Sequence, residues 1–284
     1  MMRCRVAAVQ MVSTPSVQEN LAAAQILIEQ AAHAGAQLIV LPEYFCLMGQ
    51  RAEDKVAVRE ADGDGPIQSF LARTAERERV WLVGGCVPLV CADPSRVRSA
   101  CLVYGPDGVR VARYDKMHLF SFASGSERYH EADTIEPGEH TVAVDLPWGR
   151  IGLSICYDLR FPELYRRLAP CDLILVPSAF TATTGAVHWE VLLRARAIEN
   201  QAWVIAPAQG GLHPNGRRTH GHSMIIDPWG GIVDQLPTGP GMVLADLDPE
   251  RLAEVRKGLP ALEHRVLPEM PQASGERRAI ASDQ

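Results

Sequence analysis

Three side chains suited to acid–base and nucleophilic chemistry stand just past apolar runs. Glu43 follows QLIVLP, Lys116 follows VRVARYD and Cys156 follows GRIGLSI. Taken singly, each has an ordinary explanation. Cys156 could be a small buried hydrophobe, Glu43 a cap on the next segment, and Lys116 a solvated strand end. Burying a lone carboxylate or ammonium is costly, however. If the three strand ends converge, the charges compensate one another and the set can act on an acyl carbon. A free thiol is mostly protonated near neutral pH. A neighbouring ammonium and the N-terminus of a helix over PELYRRL are expected to favour the thiolate. Glu43 could take the thiol proton and pass it to a leaving amine. Lys116 and the backbone N–H of Tyr157 could hold the oxyanion of a tetrahedral intermediate. The chemistry expected is hydrolysis through a thioester, with Glu43 activating water in the second half.

These residues need elements to carry them. RCRVAAVQMV reads as a strand, and SVQENLAAAQILIEQAAHAG as an amphipathic helix in which Val17, Leu21, Ala24, Ile28 and Ala31 recur at helical spacing before Gly35. QLIVLPE is a short apolar strand ending in Pro42-Glu43. A helix near Pro66–Arg79 and a strand VWLVGGCV follow. SACLVYG and VRVARYDK flank the turn Pro106-Asp107-Gly108 as a hairpin. The second half repeats the opening logic. GRIGLSIC is a strand, PELYRRLAP a helix and DLILVPSAF a strand. GAVHWEVLLRARAIENQ is a longer helix and AWVIAPA another strand. GHSMIIDPWGGIVDQ reads as a hairpin, GMVLADLD as a strand, and a short helix starts at Pro249. The expected class is α/β, as two similar halves sharing one core, with strands so apolar that both faces must be covered. In such sheets ligands sit beyond the carboxyl ends of strands, which is where the three residues lie. The expected boundaries are a single domain over 1–262 and a polar tail over 263–284, extended or partly disordered.

Composition narrows the alternatives. The 284 residues carry a net charge of −6 and 22% charged residues, so no basic footprint for nucleic acid is expected. No apolar run is long enough to span a bilayer. The opening MMRCRVAAVQMVSTPS lacks an apolar h-region and reads as a first strand rather than a signal peptide. The seven cysteines are irregularly spaced and contain no CxxC pair, as in a reduced, cytoplasmic protein. Nine histidines include His220 and His222 around Gly221, and His130 beside Glu131, but no HExxH occurs and no metal is expected. GLSIC and GHSMI each lack the final glycine of GxSxG, which speaks against a serine hydrolase. No P-loop or GxGxxG is present. Arg160 could clamp a substrate carboxylate bidentately or pair with Asp158 or Glu163 and order the turn. Phe180 and Thr181 could line the pocket, with core packing the equal alternative for Phe180. Glu190 and Arg194, and Arg196 and Glu199, are spaced for ion pairs on a helix surface or for contacts between subunits.

The segments LPEYF, YDKMHLF and SICYDLRFPELYR resemble the Glu–Lys–Cys signature of the nitrilase superfamily of carbon–nitrogen hydrolases. The resemblance runs from the first strand to about Asp248. It implies a four-layer αββα sandwich, catalytic Glu43, Lys116 and Cys156, no cofactor, and dimers built across the sandwich surface. It also implies a second glutamate that positions the lysine and substrate, which falls on Glu131. VPSAFTATTGAVHWEVLLRARAIENQ and APAQGGLHPNGRRTHGHSMIIDPWG resemble the deaminated glutathione amidases, with the ω-amidases next. The expected reaction is cleavage of a small-molecule amide, deaminated glutathione, to 2-oxoglutarate and cysteinylglycine. The rivals are an ω-amidase substrate or an N-carbamoyl compound and, from another class, a non-catalytic binding or scaffold protein on the same fold. One departure stands out: where those subfamilies usually continue HLFD, this chain continues Phe120-Ser121-Phe122-Ala123-Ser124-Gly125-Ser126.

Overall fold

A computed structural model of the chain describes residues 3–125 and 127–267. β1 (Cys4–Gln10) leads into α1 (Val17–His33), capped by the Ser16 hydroxyl, which accepts from the Glu19 N–H. β2 (Leu38–Val40), α2 (Asp54–Ala57), α3 (Pro66–Glu78), β3 (Trp81–Val90), β4 (Val97–Tyr104) and β5 (Arg110–Asp115) complete the first half. A separate hairpin follows, β6 (Ser121–Ser124) with β7 (Glu127–His130). The second half holds β8 (Ala143–Leu146), β9 (Gly149–Leu153), α4 (Pro162–Leu168), β10 (Leu173–Leu175), α5 (Ala182–Asn200) and β11 (Trp203–Ala206). The chain then forms β12 (Ser223–Ile226), β13 (Ile232–Leu236), β14 (Gly241–Leu247) and α6 (Pro249–Gly258).

The strands form two six-stranded sheets, ordered β14-β1-β2-β3-β4-β5 and β13-β12-β11-β10-β9-β8. Each has a parallel centre. Val6 pairs with Leu38 and Leu38 with Trp81 in one; Ile151 pairs with Leu173 and Leu173 with Trp203 in the other. Alternation along the strands makes the layers. Val6, Ala8, Leu38 and Val40 join Ile151, Leu153, Ile205 and Ile225 in one core between the sheets. Ala7, Val9, Ile39 and Leu41 join Ala24 and Ile28 of α1 and Leu71 of α3 on the outer face. The far face of the second sheet is covered by Leu164 and Leu168 of α4 and Trp189 and Leu193 of α5. This is the expected αββα sandwich, with two similar halves around one core.

Several boundaries differ from the sequence reading. The strands expected over QLIVLPE and DLILVPSAF keep only three paired residues each, because the chain leaves the sheet once it reaches the site. β9 stops at Leu153, short of Cys156. Directly after it comes a 3-10 turn, Cys156–Arg160, and α4 begins only at Pro162. Ser121–Ser124 and Glu127–His130, whose conformation the sequence left open, pair as the β6–β7 hairpin, stabilised by its aromatic face. Of the expected tail from 263, residues 268–284 lie outside the described residues. Among the described residues no helix is long and apolar enough to cross a membrane.

Candidate active site

The two sheets place Glu43, Lys116 and Cys156 at one end of the shared core. Glu43 rides on the segment leaving β2. Two tight approaches hold that segment: a Cβ added at Gly85 of β3 would lie 2.3 Å from the carbonyl oxygens of Leu41 and Pro42. Gln209, beyond β11, donates to the Glu43 carbonyl at 3.0 Å and to Ser13 Oγ at 2.8 Å, tying the two halves together. Lys116 leaves β5, and its carbonyl accepts the Gly138 N–H at 2.8 Å.

Cys156 sits on a strained corner, with φ at +48°, a region uncommon for a residue with a side chain. The surroundings hold it there. Its N–H donates to the Pro177 carbonyl at 2.9 Å. Asp158, fully buried, accepts from the Ile155 N–H at 2.8 Å, the Tyr114 hydroxyl at 2.7 Å and the His118 N–H at 3.1 Å, and contacts His118 Nδ1 at 2.7 Å. One carboxylate thereby pins the Cys156 corner to the segment just past Lys116.

Lys116 is fully buried and clamped. Its Nζ lies 2.7 Å from Glu43 Oε1, and 2.9 and 2.7 Å from the two oxygens of Glu131. Glu131 also accepts from the Tyr44 hydroxyl at 3.0 Å and the Phe120 N–H at 2.7 Å, so its oxygens are occupied by fixed donors. Burial opposes the lysine's charge, but Glu131 and Glu43 outweigh it and hold its pKa well above the ordinary lysine range. Burial likewise opposes ionisation of Glu131, and Lys116 outweighs it, holding that carboxyl below its usual range.

Cys156 behaves differently from the sequence expectation. Its thiol is pushed well above the ordinary value, first by burial and second by the negative charge of Glu43; Lys116 pulls the other way and loses. The helix expected to assist starts too late, at Pro162. The resting group is therefore a thiol, not a thiolate, and needs a base at the moment of attack.

Glu43, Glu131, Cys156, Tyr157, Arg160, Phe180 and Thr181 all line one narrow slot. Arg160 pairs with neither Asp158 nor Glu163. It lies against His188 Nδ1 at 3.1 Å and over the rings of Phe180 and Tyr157 at 5.3 and 5.8 Å. Asp158 is unavailable because its own donors consume it. Phe180 does both jobs weighed for it, facing the slot and packing on Trp189 with centroids 4.9 Å apart. Thr181 caps α5, accepting from the Thr184 N–H at 3.2 Å.

Sequence reasoning missed Tyr44, Asp158, Gln209 and Arg217. Tyr44 and Asp158 stand inside the quoted motifs, and their neighbours to the chemistry were the available signal. Gln209 and Arg217 sit in an irregular segment without periodicity. Arg217 also lines the slot, although the adjacent Arg218 is exposed. Its loop is anchored by buried His213, which contacts the Ser13 carbonyl at 2.9 Å and Thr219 Oγ1 at 2.8 Å.

Comparison with known proteins agrees with this arrangement. The family model for carbon-nitrogen hydrolase matches residues 5–257. A deaminated glutathione amidase from Synechocystis sp. is 43% identical over 92% of this chain and 97% of its own. An omega-amidase from Danio rerio is 34% identical over 93% of this chain and 95% of its own. Among solved structures, an amidase from Nesterenkonia sp. AN1 superimposes with a TM-score of 0.78 at 26% identity, covering 92% of this chain and 93% of that one. That amidase carries the acetamide moiety of fluoroacetamide covalently at its active-site cysteine. The chain belongs to the carbon-nitrogen hydrolase family and is an amidohydrolase of the nitrilase superfamily.

Proposed function

We propose that the chain hydrolyses deaminated glutathione at its linear amide bond, with Cys156 as nucleophile. The observation that carries the mechanism is the buried clamp of Lys116 between Glu43 and Glu131 beside a cysteine on a strained corner. Cys156 Sγ attacks the amide carbon while Glu43 takes its proton. Lys116 Nζ and the Tyr157 N–H donate to the developing oxyanion. As the C–N bond breaks, protonated Glu43 delivers that proton to the leaving nitrogen, and the acyl group remains as a thioester. Water then attacks the thioester carbon. Glu43 takes the water's proton, the C–S bond breaks, and the released sulfur regains a proton as the acid departs. Glu131, occupied by fixed donors, is a positioning residue for Lys116. Arg160, unpaired with any carboxylate among the described residues, is the candidate for the substrate's 2-oxo-acid carboxylate, with Tyr157, Phe180 and Thr181 around the chain.

The substrate reading rests on the likeness to amidases of that name. The omega-amidase likeness supports 2-oxoglutaramate as the rival, on the same residues. A homodimer fits the exposed apolar side chains of α5, Val187, Val191 and Ile198, near which Trp229 is also exposed. The free state of all seven cysteines supports a cytoplasmic setting. The test is product release by wild type and Cys156→Ala from deaminated glutathione, 2-oxoglutaramate and an N-carbamoyl amino acid. Preferred, cysteine-dependent cleavage of the first is expected. Cleavage of only another member would move the substrate, and near-wild-type activity in Cys156→Ala would remove the nucleophile assignment.

A further inference from the structure

The fully buried cations among the described residues are matched, whereas half-buried Arg217, beside the slot, is not. Lys116 has its two carboxylates, and buried Arg196 has the Leu159 carbonyl and Glu199. Arg217 has neither. Its guanidinium lies over the rings of Tyr44 and Tyr129, at 5.5 and 5.0 Å. One terminal nitrogen donates to the Ala179 carbonyl at 3.1 Å, and the other reaches only Met48 Sδ at 3.8 Å. The Nε–H is buried with no partner, and among the described residues no carboxylate forms an ion pair with it. A guanidinium has five donors in a fixed fork, and a buried donor left unmade loses its hydration without return. Unlike the orphan atoms of Asn200 and Trp203, this one belongs to a side chain that lines the slot, where a ligand could complete it.

Its place indicates which part of a ligand. The slot at Cys156 is narrow, about 10 Å³, and has Arg160 among its walls. It adjoins a wider cavity of about 720 Å³. Arg217 lines both, as do Phe120 and Glu131. The wide cavity adds Arg51, Lys55 and Arg128; of its two carboxylates, Glu131 is already committed to Lys116 and Asp133 lies 3.7 Å from His130. The wide cavity has room for a leaving amine larger than ammonia, and Arg217 stands where that cavity meets the slot.

We infer that Arg217 binds a carboxylate carried by the leaving amine, so that the site selects amides whose amine product is itself an anion, such as a short peptide with a free C-terminus. This rests on the amidase reading above and deepens it: Arg160 and Arg217 would hold carboxylates on opposite sides of the scissile bond. An amide that releases only ammonia offers Arg217 nothing.

The test is calorimetric binding to Cys156→Ala and to Cys156→Ala/Arg217→Gln, using deaminated glutathione and its C-terminal carboxamide as probes. The expected result is that Cys156→Ala prefers the acid over the carboxamide by about 10- to 100-fold, the size of a charge-assisted bidentate contact. The second variant should reduce that preference to near unity, and Arg217→Lys in the same background should retain part of it. Thermal unfolding of each variant checks folding. A preference near unity in Cys156→Ala, or one preserved without Arg217, overturns the assignment, as does binding of neither probe. Wild-type turnover of deaminated glutathione separates the two claims. An Arg217-dependent preference without turnover sinks the substrate and keeps Arg217; turnover with no preference does the reverse.

Discussion

At the residue scale the governing fact is that Lys116 lies between two carboxylates while Cys156 stays protonated. Burial and the charge of Glu43 raise the thiol, so its thiolate fraction is small at neutral pH. Alkylation of Cys156 by a small neutral reagent should be slow near pH 7.5. It should keep rising with pH past about 8.5, where an ordinary thiol would level off. An inflection at or below the ordinary value, followed by mass spectrometry of the modified peptide, would contradict this. Lys116→Ala should lower kcat by about 10²- to 10³-fold with little change in KM, since its proposed work is at the oxyanion. A pure KM effect would remove that role. The same change leaves Glu43 and Glu131 buried without their cation, so it should also cost about 3–5 kcal/mol in denaturant unfolding.

At the element scale, the strand ends aim the chemistry and glycines let the backbones close in. At Gly85 an added Cβ would meet two carbonyl oxygens of the segment that carries Glu43. Gly85→Ala must push β3 and that segment apart. A loss of about 1–3 kcal/mol of stability is expected, together with a fall in kcat, although residue 85 touches no substrate. Unchanged turnover in a correctly folded Gly85→Ala protein would show that Glu43 tolerates displacement. Alternation and helical spacing made these elements readable beforehand, down to α1 and the β4–β5 hairpin. The corner at Cys156 was not readable, because φ = +48° arises from Asp158 and Pro177, which come from two different neighbourhoods. Nor was the β6–β7 hairpin, whose aromatic face lacks strand-like alternation of apolar and polar residues.

At the scale of the whole molecule, two sheets share one core, and most cysteines are sunk into it. The Cys4 and Cys86 thiols are each pushed up to about 12 by burial, aided respectively by Asp246 and Glu43. In the unfolded chain they would titrate near 8.5. Between those values the folded state holds more protons than the unfolded one, so stability falls as pH rises. Each such thiol should remove about 1.4 kcal/mol per pH unit above roughly pH 9. Urea titrations at pH 8, 9 and 10 check this; a flat profile would mean that these thiols ionise in place. The same scale limits what a linear reading can deliver. Glu43, Lys116 and Cys156 were recognisable by type and position, and Glu131 by resemblance. Arg217 was not, because its lack of an ion-paired carboxylate among the described residues is a property of three-dimensional surroundings.

The clamp around Lys116 has a further consequence for the enzyme at rest. Burial first, and then the charge of Glu43 beside the clamp, keep the neighbouring sulfur in its protonated form. Peroxide attacks thiolates, climbing from sulfenic to irreversible sulfinic and sulfonic acids. A nucleophile that is created only when an amide arrives spends its idle time beyond the reach of that damage. Reactivity summoned by the substrate, instead of held permanently ready, lets the same sulfur survive many turnovers among oxidants.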